Sequence, residues 1–490
     1  MLQELIRRAT TGQQPDTRRI FRPSWVYQVL RDPFWMWCHY HAPSAEAVDE
    51  TSRYDQMRLQ RGSEYEQTWV RAHYPGAVKI EVPFGLEALQ STFQAMLEGR
   101  SAIYQPHLWD LGGEMYGKGD LLVRDDSRGS DLGQYHYRLV EIKQSRSLQD
   151  YHKVQAGIYN RMLGRIQGYI PGDMTVALRE TSQQVLHASV EDEVKETLDS
   201  WRALREGQLV PELGRPPDAT GSPWRIYGNN LVESRKDLVL LAGIGTRDRV
   251  KLRSAEIQNL DHLWNLSLKE VEVILGAKSG AQAYYTAQSY KTGQPIPKPG
   301  YRLTVPRGKR HLYFDVETSD DIHPTESPHL YLIGCWDAER EQYLPFLARG
   351  ADDEQRIVSD FLEYVGDAQD TKLYHWTEFE TRQLRDVSRR WPALETSVNM
   401  LLASCVDLKE AVKSAVYLPV PTFSLKCVAP ALGFRWRQEA FNAFDSMVCY
   451  WDYLEGAGES MINQVQVYNE DDCRAMWHTY HELTKRTSLS

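Results

Sequence analysis

The chain has 490 residues, of which 42% are hydrophobic and 25% are charged, and its net charge is −10. This length predicts two or three domains, and this composition is typical of globular proteins. No apolar run approaches the roughly 18 residues of a membrane-spanning helix, and the N-terminus lacks the apolar core of a secretory signal. We therefore expect a cytoplasmic protein with no membrane partner. The six cysteines are scattered and form no CxxC pair, which excludes the common zinc and disulfide patterns and fits a reducing compartment.

The negative net charge conceals a basic middle region. Residues 235–310 contain 14 lysines and arginines against 6 acidic residues. A basic segment between acidic flanks is compatible with binding to nucleic-acid phosphates. The same charges also fit the solvated surface of ordinary helices, and charge alone does not separate the two interpretations.

Two stretches rich in proline and glycine, 210–223 and 293–310, predict linkers. In the N-terminal part, the runs 118–126 and 136–145 predict two paired strands, and 149–166 predicts a helix. The middle part is predicted to be mainly helical. In the C-terminal part, 310–318 and 328–337 predict strands, and 462–485 predicts a helix. The fold class expected is therefore α/β and multidomain.

The first group of candidate functional residues lies on the two N-terminal strands. Glu141 and Lys143 are two positions apart, so they share one face of a strand. Asp120 begins the preceding strand and lies beside them if the strands pair. Carboxylates suit Mg²⁺ or Mn²⁺, and such an ion activates water for attack on a phosphate. The lysine could orient or deprotonate that water, or hold the phosphate. The alternative is a surface strand with an ordinary ion pair.

Further residues extend this pattern on predicted helices. They are Glu66, as an extra metal ligand, and Gln155 and Tyr159, which lie on one helical face and could position the lysine or a phosphate. The motifs GxxxE (62–66), GxxD (117–120), ExK (141–143) and QxxxY (155–159) occur in this order. The sequence here resembles the RecB branch of the PD-(D/E)xK nucleases. The resemblance implies a restriction-endonuclease-like module at 20–210.

Relatives with an iron–sulfur cluster carry four cysteines, whereas this module contains only Cys38, so we expect no iron–sulfur cluster.

The middle segment, residues 225–295, carries a glycine-centred turn at 243–245. Glycines permit a tight turn, and the N-terminus of the following helix would offer backbone N–H groups to a phosphate. The stretch 240–264 resembles a helix-hairpin-helix element, which grips the nucleic-acid backbone without reading sequence. The alternative is a plain helical spacer. The candidate nucleic-acid-binding residues are Gly243, Gly245, Arg247, Arg249, Lys251 and Arg253.

The second group of candidate functional residues lies in the C-terminal part. Asp315 and Glu317 share one face of a strand, and Tyr468 and Asp472 are one helical turn apart. The stretch between them contains Glu380. This set resembles the tyrosine-bearing DEDD exonucleases of the ribonuclease-H-like fold, and more closely the YprB-type domains. The resemblance implies a module at 308–486 with 3′–5′ exonuclease activity, metal ligands at Asp315, Glu317, Glu380 and Asp472, and Tyr468 orienting the attacking water.

Two positions qualify that resemblance. The middle motif of these exonucleases usually supplies aspartate where Glu380 stands, and glutamate is one methylene longer. His375 stands where many relatives have a polar residue that contacts substrate. The alternative is a degenerate domain that binds nucleic acid without cutting it.

These features together predict a metal-dependent nuclease that acts on nucleic acid. The RecB resemblance favours DNA over RNA as the substrate, whereas the ribonuclease-H-like resemblance leaves RNA open. The chain contains no GxxxxGK[ST] motif, so a helicase or ATPase partner would have to supply any motor. The competing hypothesis is a nucleic-acid-binding subunit of a repair or defence complex, with one or no active site in isolation.

Overall fold

A computed structural model of the protein describes residues 1–12, 19–301, 303, 309–320, 328–367 and 370–488. The chain divides into two compact units. The first comprises Met1–Thr51, Gln56–Leu213 and Thr220–Tyr227, and the second Ser52–Asp55, Gly214–Ala219 and Gly228–Ser490. The predicted module start at residue 308 and parts of the predicted linker 293–310 lie outside the described residues. In the described chain, no helix has the length and apolar character needed to cross a membrane.

The first unit combines helices with a mixed sheet. Its helices are α1 Leu2–Thr10, α2 Val26–Arg31, α3 Pro33–His41, α4 Arg53–His73, α5 Leu86–Leu97, α6 Asp150–Gln167 and α7 Glu191–Arg205. Its strands are β1 Val78–Lys79, β2 Ala102–Tyr104, β3 His107–Asp110, β4 Met115–Lys118, β5 Leu121–Asp125, β6 His136–Ile142, β7 Asp173–Ala177 and β8 Ser182–Leu186. The first three residues of α4, residues 53–55, belong to the second unit.

Six of these strands form one sheet in the order β1-β2-β5-β6-β7-β8, and β3 and β4 form a separate hairpin. β5 and β6 pair antiparallel, with Leu121 opposite Val140, which confirms the predicted strand pair. β6 also pairs parallel with β7. Because β6 is a central strand, six of its seven residues are buried and both of its faces lie in the interior.

Helix α6 packs along β6 and confirms the predicted helix 149–166. It begins with a reciprocal cap, in which the side chains of Gln149 and His152 each bond to the backbone of the other residue. It ends at Gly168, whose φ of +69° is the left-handed conformation that favours glycine. Its buried face joins the main apolar core of the unit, which fixes the helix against the sheet.

The second unit contains the helical middle and the C-terminal part. Its helices are α8 Arg225–Arg235, which starts in the first unit, α9 Thr246–Ser254, α10 Leu260–Trp264, α11 Leu268–Leu275, α12 Ala277–Thr292, α13 Glu354–Val365, α14 Glu378–Arg390, α15 Glu395–Ala403, α16 Leu408–Ala415, α17 Leu425–Ala431, α18 Ala443–Leu454 and α19 Glu459–Ser488. Its strands are β9 Ile296–Pro297, β10 Arg310–Thr318, β11 Leu330–Asp337, β12 Gln342–Leu347, β13 Thr371–His375, β14 Cys405–Asp407 and β15 Val416–Tyr417.

Five strands of the second unit form a sheet in the order β12-β11-β10-β13-β14. β10 is central, antiparallel to β11 and parallel to β13. The long helix α19 packs across β10 and β11. The strands predicted at 310–318 and 328–337 and the helix predicted at 462–485 are therefore confirmed. This arrangement carries the end of β10 and the middle of α19 to the same place.

Candidate functional site

Three buried or half-buried carboxylates meet in the second unit. Asp315 and Glu317 project from β10, and Asp472 projects from α19. Each offers an oxygen that lies within 4.8 Å of the others, and no other group of three such ligands is this close among the described residues. The structure thus brings together three of the four acidic residues that the sequence nominates for the C-terminal site.

A fourth polar residue, Asn469, holds the two carboxylates of β10. Its Nδ2 donates to Asp315 Oδ2 at 2.9 Å and to Glu317 Oε1 at 3.5 Å. Its Oδ1 accepts a hydrogen bond from the Tyr343 hydroxyl at 2.9 Å. Asn469 is fully buried, so these bonds also satisfy its amide. Asn469 was not predicted from the sequence, although it lies next to Tyr468 in the motif.

Gly334 makes room for Asn469. It lies opposite Asp315 in the β10–β11 register, and a Cβ built on it would be 1.5 Å from Asn469 Oδ1. Any side chain at residue 334 would therefore displace the amide that aligns Asp315 and Glu317. The glycine is required by this close approach, not by its backbone angles.

We expect Gly334→Ala to destabilise the second unit by about 1–3 kcal/mol, the usual cost of overpacking a buried site, and to weaken binding of divalent metal. Urea unfolding and a metal titration would measure the two effects. Gly350→Ala is the matched control, because a Cβ there meets nothing within 4 Å. Equal behaviour of the two variants would contradict this role for Gly334.

Asp472 is surrounded by donors. It accepts from Trp436 Nε1 at 2.6 Å and pairs with Lys426 Nζ at 3.0 Å. The Lys426 ammonium also lies over the rings of Trp436 and Tyr468, 4.1 Å and 4.3 Å from their centroids. Tyr468 forms a side-chain hydrogen bond with Asp472, one helical turn away. Lys426 and Trp436 were not singled out from the sequence.

The electrostatics of this cluster favour a bound cation. Burial, and then the charges of Asp472 and Glu317, raise the pKa of Asp315 well above its usual range. Burial and the charge of Asp472 raise the pKa of Glu317 from 4.5 to about 8, and burial raises that of Asp472. Like charges this close cannot all ionise without compensation. An all-oxygen, anionic donor set of this kind fits Mg²⁺ or Mn²⁺.

This shift predicts how metal-free stability depends on pH. A carboxyl group whose pKa is raised on folding stabilises the folded state below its unfolded pKa, and this contribution is lost as pH rises through its folded pKa. In EDTA, wild type should therefore lose more stability than Glu317→Gln as pH rises from 4.5 through about 8. Thermal unfolding at several pH values measures this difference. Adding Mn²⁺ should remove most of it, and parallel curves for the two proteins in EDTA would contradict the expectation.

Glu380, the fourth predicted ligand, has a second role in the structure. Its Oε2 accepts from the backbone N–H and the hydroxyl of Thr377 at 3.2 Å and 3.0 Å, which forms the capping box of α14. Its charge contributes to raising the pKa of Asp315, so it lies near the cluster. It is outside the group of three close ligands.

His375 ends β13 and is 4% exposed. Its Nδ1 lies 2.5 Å from the Thr377 carbonyl oxygen, and burial lowers its pKa. This contact fixes the imidazole ring against the turn that precedes α14. A contact of His375 with substrate would therefore have to use a part of the ring other than Nδ1.

The first unit brings Asp120, Glu141 and Lys143 together. Lys143 Nζ lies 2.8 Å from Glu141 Oε2 and 3.4 Å from Asp120 Oδ2. Asp120 Oδ2 also accepts from the backbone N–H of Ile142 at 2.7 Å, and Gln155 Nε2 donates to Glu141 Oε2 at 3.2 Å. Glu141 is fully buried, which distinguishes this ion pair from an ordinary surface pair on a strand.

In the cluster of Asp120, Glu141 and Lys143, the lysine only partly balances the negative charge of the carboxylates. Burial and the charge of Asp120 raise the pKa of Glu141 to about 7. Burial would lower the pKa of Lys143, but Asp120 and Glu141 outweigh it and raise that pKa. Burial and the charge of Asp120 also raise the pKa of Glu66. Lys143 is therefore a firmly protonated cation in the metal-free site, and the carboxylates still carry excess negative charge.

Tyr159 and Glu66 border this cluster. The Tyr159 hydroxyl donates to the Lys118 carbonyl oxygen at 2.9 Å, and Glu66 Oε1 accepts from Gln105 Nε2 at 3.2 Å. Gly117 has a physical reason to be glycine, since a Cβ there would lie 2.4 Å from the Tyr159 ring. The glycine and the tyrosine of the two motifs therefore pack directly on each other.

In the middle segment, the predicted cations differ in accessibility. Gly243 has a φ of +81° and Gly245 caps the N-terminus of α9. Arg249 is buried, with its guanidinium donating to the Ile244 carbonyl oxygen at 2.9 Å and to Thr246 Oγ1 at 3.0 Å. Arg249 is thus a structural residue of the turn rather than a surface contact. Arg253 pairs with Asp237, and the exposed cations are Arg247 and Lys251.

Comparison with known families shows a match in the C-terminal part of the chain. Residues 312–484 match RNase_H_2, a family model of the RNase H superfamily. The matched range extends from β10 to α19 and includes the carboxylate cluster of Asp315, Glu317 and Asp472. The chain therefore contains a ribonuclease-H-like domain, and this superfamily implies a nuclease or related hydrolase. A search of curated proteins finds no match to the chain.

Proposed function

We propose that the protein is a metal-dependent nuclease that hydrolyses phosphodiester bonds of DNA. The observation that carries the proposal is the close cluster of Asp315, Glu317 and Asp472 inside the ribonuclease-H-like domain. We assign 3′–5′ exonuclease activity to this cluster. We assign a second, PD-(D/E)xK-type site to the cluster of Asp120, Glu141 and Lys143 in the first unit.

At the C-terminal cluster, Asp315, Glu317 and Asp472 would hold Mg²⁺ or Mn²⁺, with Glu380 at its border. The bound ion supplies Lewis acidity toward the phosphate and makes a bound water more acidic. Asn469 keeps Asp315 and Glu317 aligned through its hydrogen bonds. Tyr468 orients the attacking water, and Lys426 is placed to attract the phosphate.

At the N-terminal cluster, Glu66, Asp120 and Glu141 would hold the ion. Lys143 stays protonated because of its carboxylate neighbours, so we assign it to holding the scissile phosphate or orienting the water rather than to removing a proton. Gln155 keeps Glu141 in place by hydrogen bonding.

A binding subunit that does not cut at the C-terminal site is the second candidate. It is favoured by one observation, the commitment of the Glu380 carboxylate to the capping box of α14. Three carboxylates hold an ion less firmly than four, so this arrangement fits a domain that binds a strand without cutting it.

A cleavage assay separates these functions. End-labelled single- and double-stranded DNA and RNA are incubated with Mg²⁺, Mn²⁺ or EDTA. The proteins are wild type, Lys143→Ala, Asp315→Asn and the double variant. Two active sites are supported if cleavage requires metal and persists in each single variant but is lost in the double variant. Salt-sensitive binding without any cleavage would support the binding subunit.

A further inference from the structure

A cavity of about 360 Å³ adjoins the N-terminal cluster in the first unit. Its walls are the segment 79–84, the loop residue Gln105, and His107, Tyr116 and Lys118 of the β3–β4 hairpin. This volume falls in the range of about 300–1,000 Å³ that is usual for small-molecule sites. None of the motifs in the first unit accounts for it.

Gln105 forms a wall shared by the cavity and the acidic cluster. Its side chain lines the cavity, while its Nε2 donates to Glu66 Oε1 at 3.2 Å. Its backbone N–H donates to the Asp120 carbonyl oxygen at 2.9 Å. Its φ of +56° is a left-handed conformation that is uncommon for a residue other than glycine. The backbone is thus held in an unusual conformation at the point where cavity and cluster meet.

Phe84 gives the cavity an exposed aromatic face. It is 46% exposed, yet it stacks on Trp109 at a centroid distance of 5.6 Å and meets the edge of Tyr116 at 4.3 Å. Two buried or half-buried rings therefore fix its orientation. A rigid aromatic ring that remains open to solvent is the kind of platform on which an unpaired base stacks.

The polar groups of the cavity suit a phosphate ester. Lys79 and Lys118 are exposed and line it, against the single acidic residue Glu81. Burial lowers the pKa of His107 to about 4, so this ring is neutral at ordinary pH and can exchange hydrogen bonds. Two exposed ammonium groups beside a stacking ring match the phosphate and the base of a nucleotide.

We propose that this cavity holds one unpaired nucleotide of a strand whose neighbouring phosphate lies at Glu66, Asp120 and Glu141. Phe84 stacks on the base, and Lys79 and Lys118 contact the phosphates. Bases inside a duplex are already stacked on their neighbours, so the pocket selects single-stranded DNA or a frayed end. Stacking does not distinguish bases, so the pocket does not read sequence. This inference rests on the proposed nuclease function of the N-terminal cluster.

Photo-crosslinking tests the proposal on the full chain. A single-stranded oligonucleotide containing 5-iododeoxyuridine is irradiated with the protein in EDTA, and tryptic peptides are mapped by mass spectrometry. We expect adducts in peptides 80–100 and 101–118, which contain Phe84 and Tyr116. Phe84→Ala should lose the first adduct and weaken single-strand binding about 10-fold. Lys118→Ala should weaken binding and reduce its salt dependence by about one phosphate contact.

Leu186→Ala is the control, since Leu186 is another exposed apolar residue of the first unit. Adducts confined to other peptides, with Phe84→Ala binding as tightly as Leu186→Ala, would overturn the pocket. If Lys143-dependent cleavage persists in that case, the nuclease proposal stands without the pocket. If instead the adducts form as expected but no cleavage depends on Lys143, the nucleotide pocket stands and the assigned N-terminal cutting activity fails.

Discussion

Asp315→Asn should lower metal-dependent removal of nucleotides from a 3′ end by about 10³-fold. Metal stabilisation of transition-state charge amounts to several kcal/mol, and each 1.4 kcal/mol corresponds to about a factor of ten in rate. The asparagine keeps the shape and the hydrogen-bonding capacity beside Asn469 but removes one negative charge from the cluster. The measurement is the release of labelled mononucleotide from a 3′-labelled single strand in Mn²⁺, followed over time.

The matched control for this variant is Asp352→Asn, because Asp352 is an exposed carboxylate of the same unit. It should release nucleotides at the wild-type rate. Asp315→Asn should also be more stable than wild type in EDTA at high pH, because it removes a buried group whose ionised form is disfavoured. A variant that folds normally and still removes 3′ nucleotides at the wild-type rate would rule out this cluster as the exonuclease site.

Local periodicity was sufficient to predict the elements that carry both sites. β6, β10 and β11 are largely buried strands, and β5 is buried at its first two residues, so their apolar residues stand out between polar turns in the sequence. Period-two spacing placed Asp315 with Glu317, and Glu141 with Lys143, on shared faces. Helical spacing placed Tyr468 beside Asp472. Each of these relations depends on residues close together in the chain.

The supporting contacts could not be predicted because they join distant parts of the chain. Gly334 and Asn469 are 135 positions apart, and only the packing of α19 across β11 brings them together. Lys426 on α17 reaches Asp472 on α19, 46 positions further along the chain. The basic run 247–253 differs, because the helix-hairpin-helix resemblance nominated all four of its cations for nucleic-acid binding, whereas Arg249 is buried within its own turn. Contacts between residues far apart in the chain place Gly334, Asn469 and Lys426, and the local pattern of one sequence does not show such contacts.

Lys143→Ala in the Asp315→Asn background should abolish the cleavage that remains, a loss of about 10²–10³-fold from removing one charged group at the reacting phosphate. Lys143 is the cation held between Glu141 and Asp120. Burial already raises the pKa of Glu141 to about 7, and Lys143 opposes that shift. Without Lys143, the effect of burial on Glu141 would no longer be offset by a neighbouring cation. The measurement is cleavage of internally labelled single-stranded DNA in Mn²⁺ across a pH series.

Loss of folding is the competing explanation for such a result, since leaving one partner of a buried ion pair costs about 3–5 kcal/mol. Lys143→Met keeps most of the side-chain volume, and Lys143→Met with Glu141→Gln removes both charges and should restore stability without restoring cleavage. The control is Lys153→Ala, because Lys153 is a half-exposed lysine of the same unit that pairs with Asp150. This variant should leave cleavage unchanged. If the stable double variant still cuts, Lys143 and Glu141 form a structural pair, and the nuclease activity of the chain belongs to the C-terminal cluster alone. A different outcome is that Lys143→Met with Glu141→Gln abolishes internal cleavage, while the same two substitutions in a chain that keeps Asp315 still allow release of 3′ nucleotides. The two clusters then act as independent active sites.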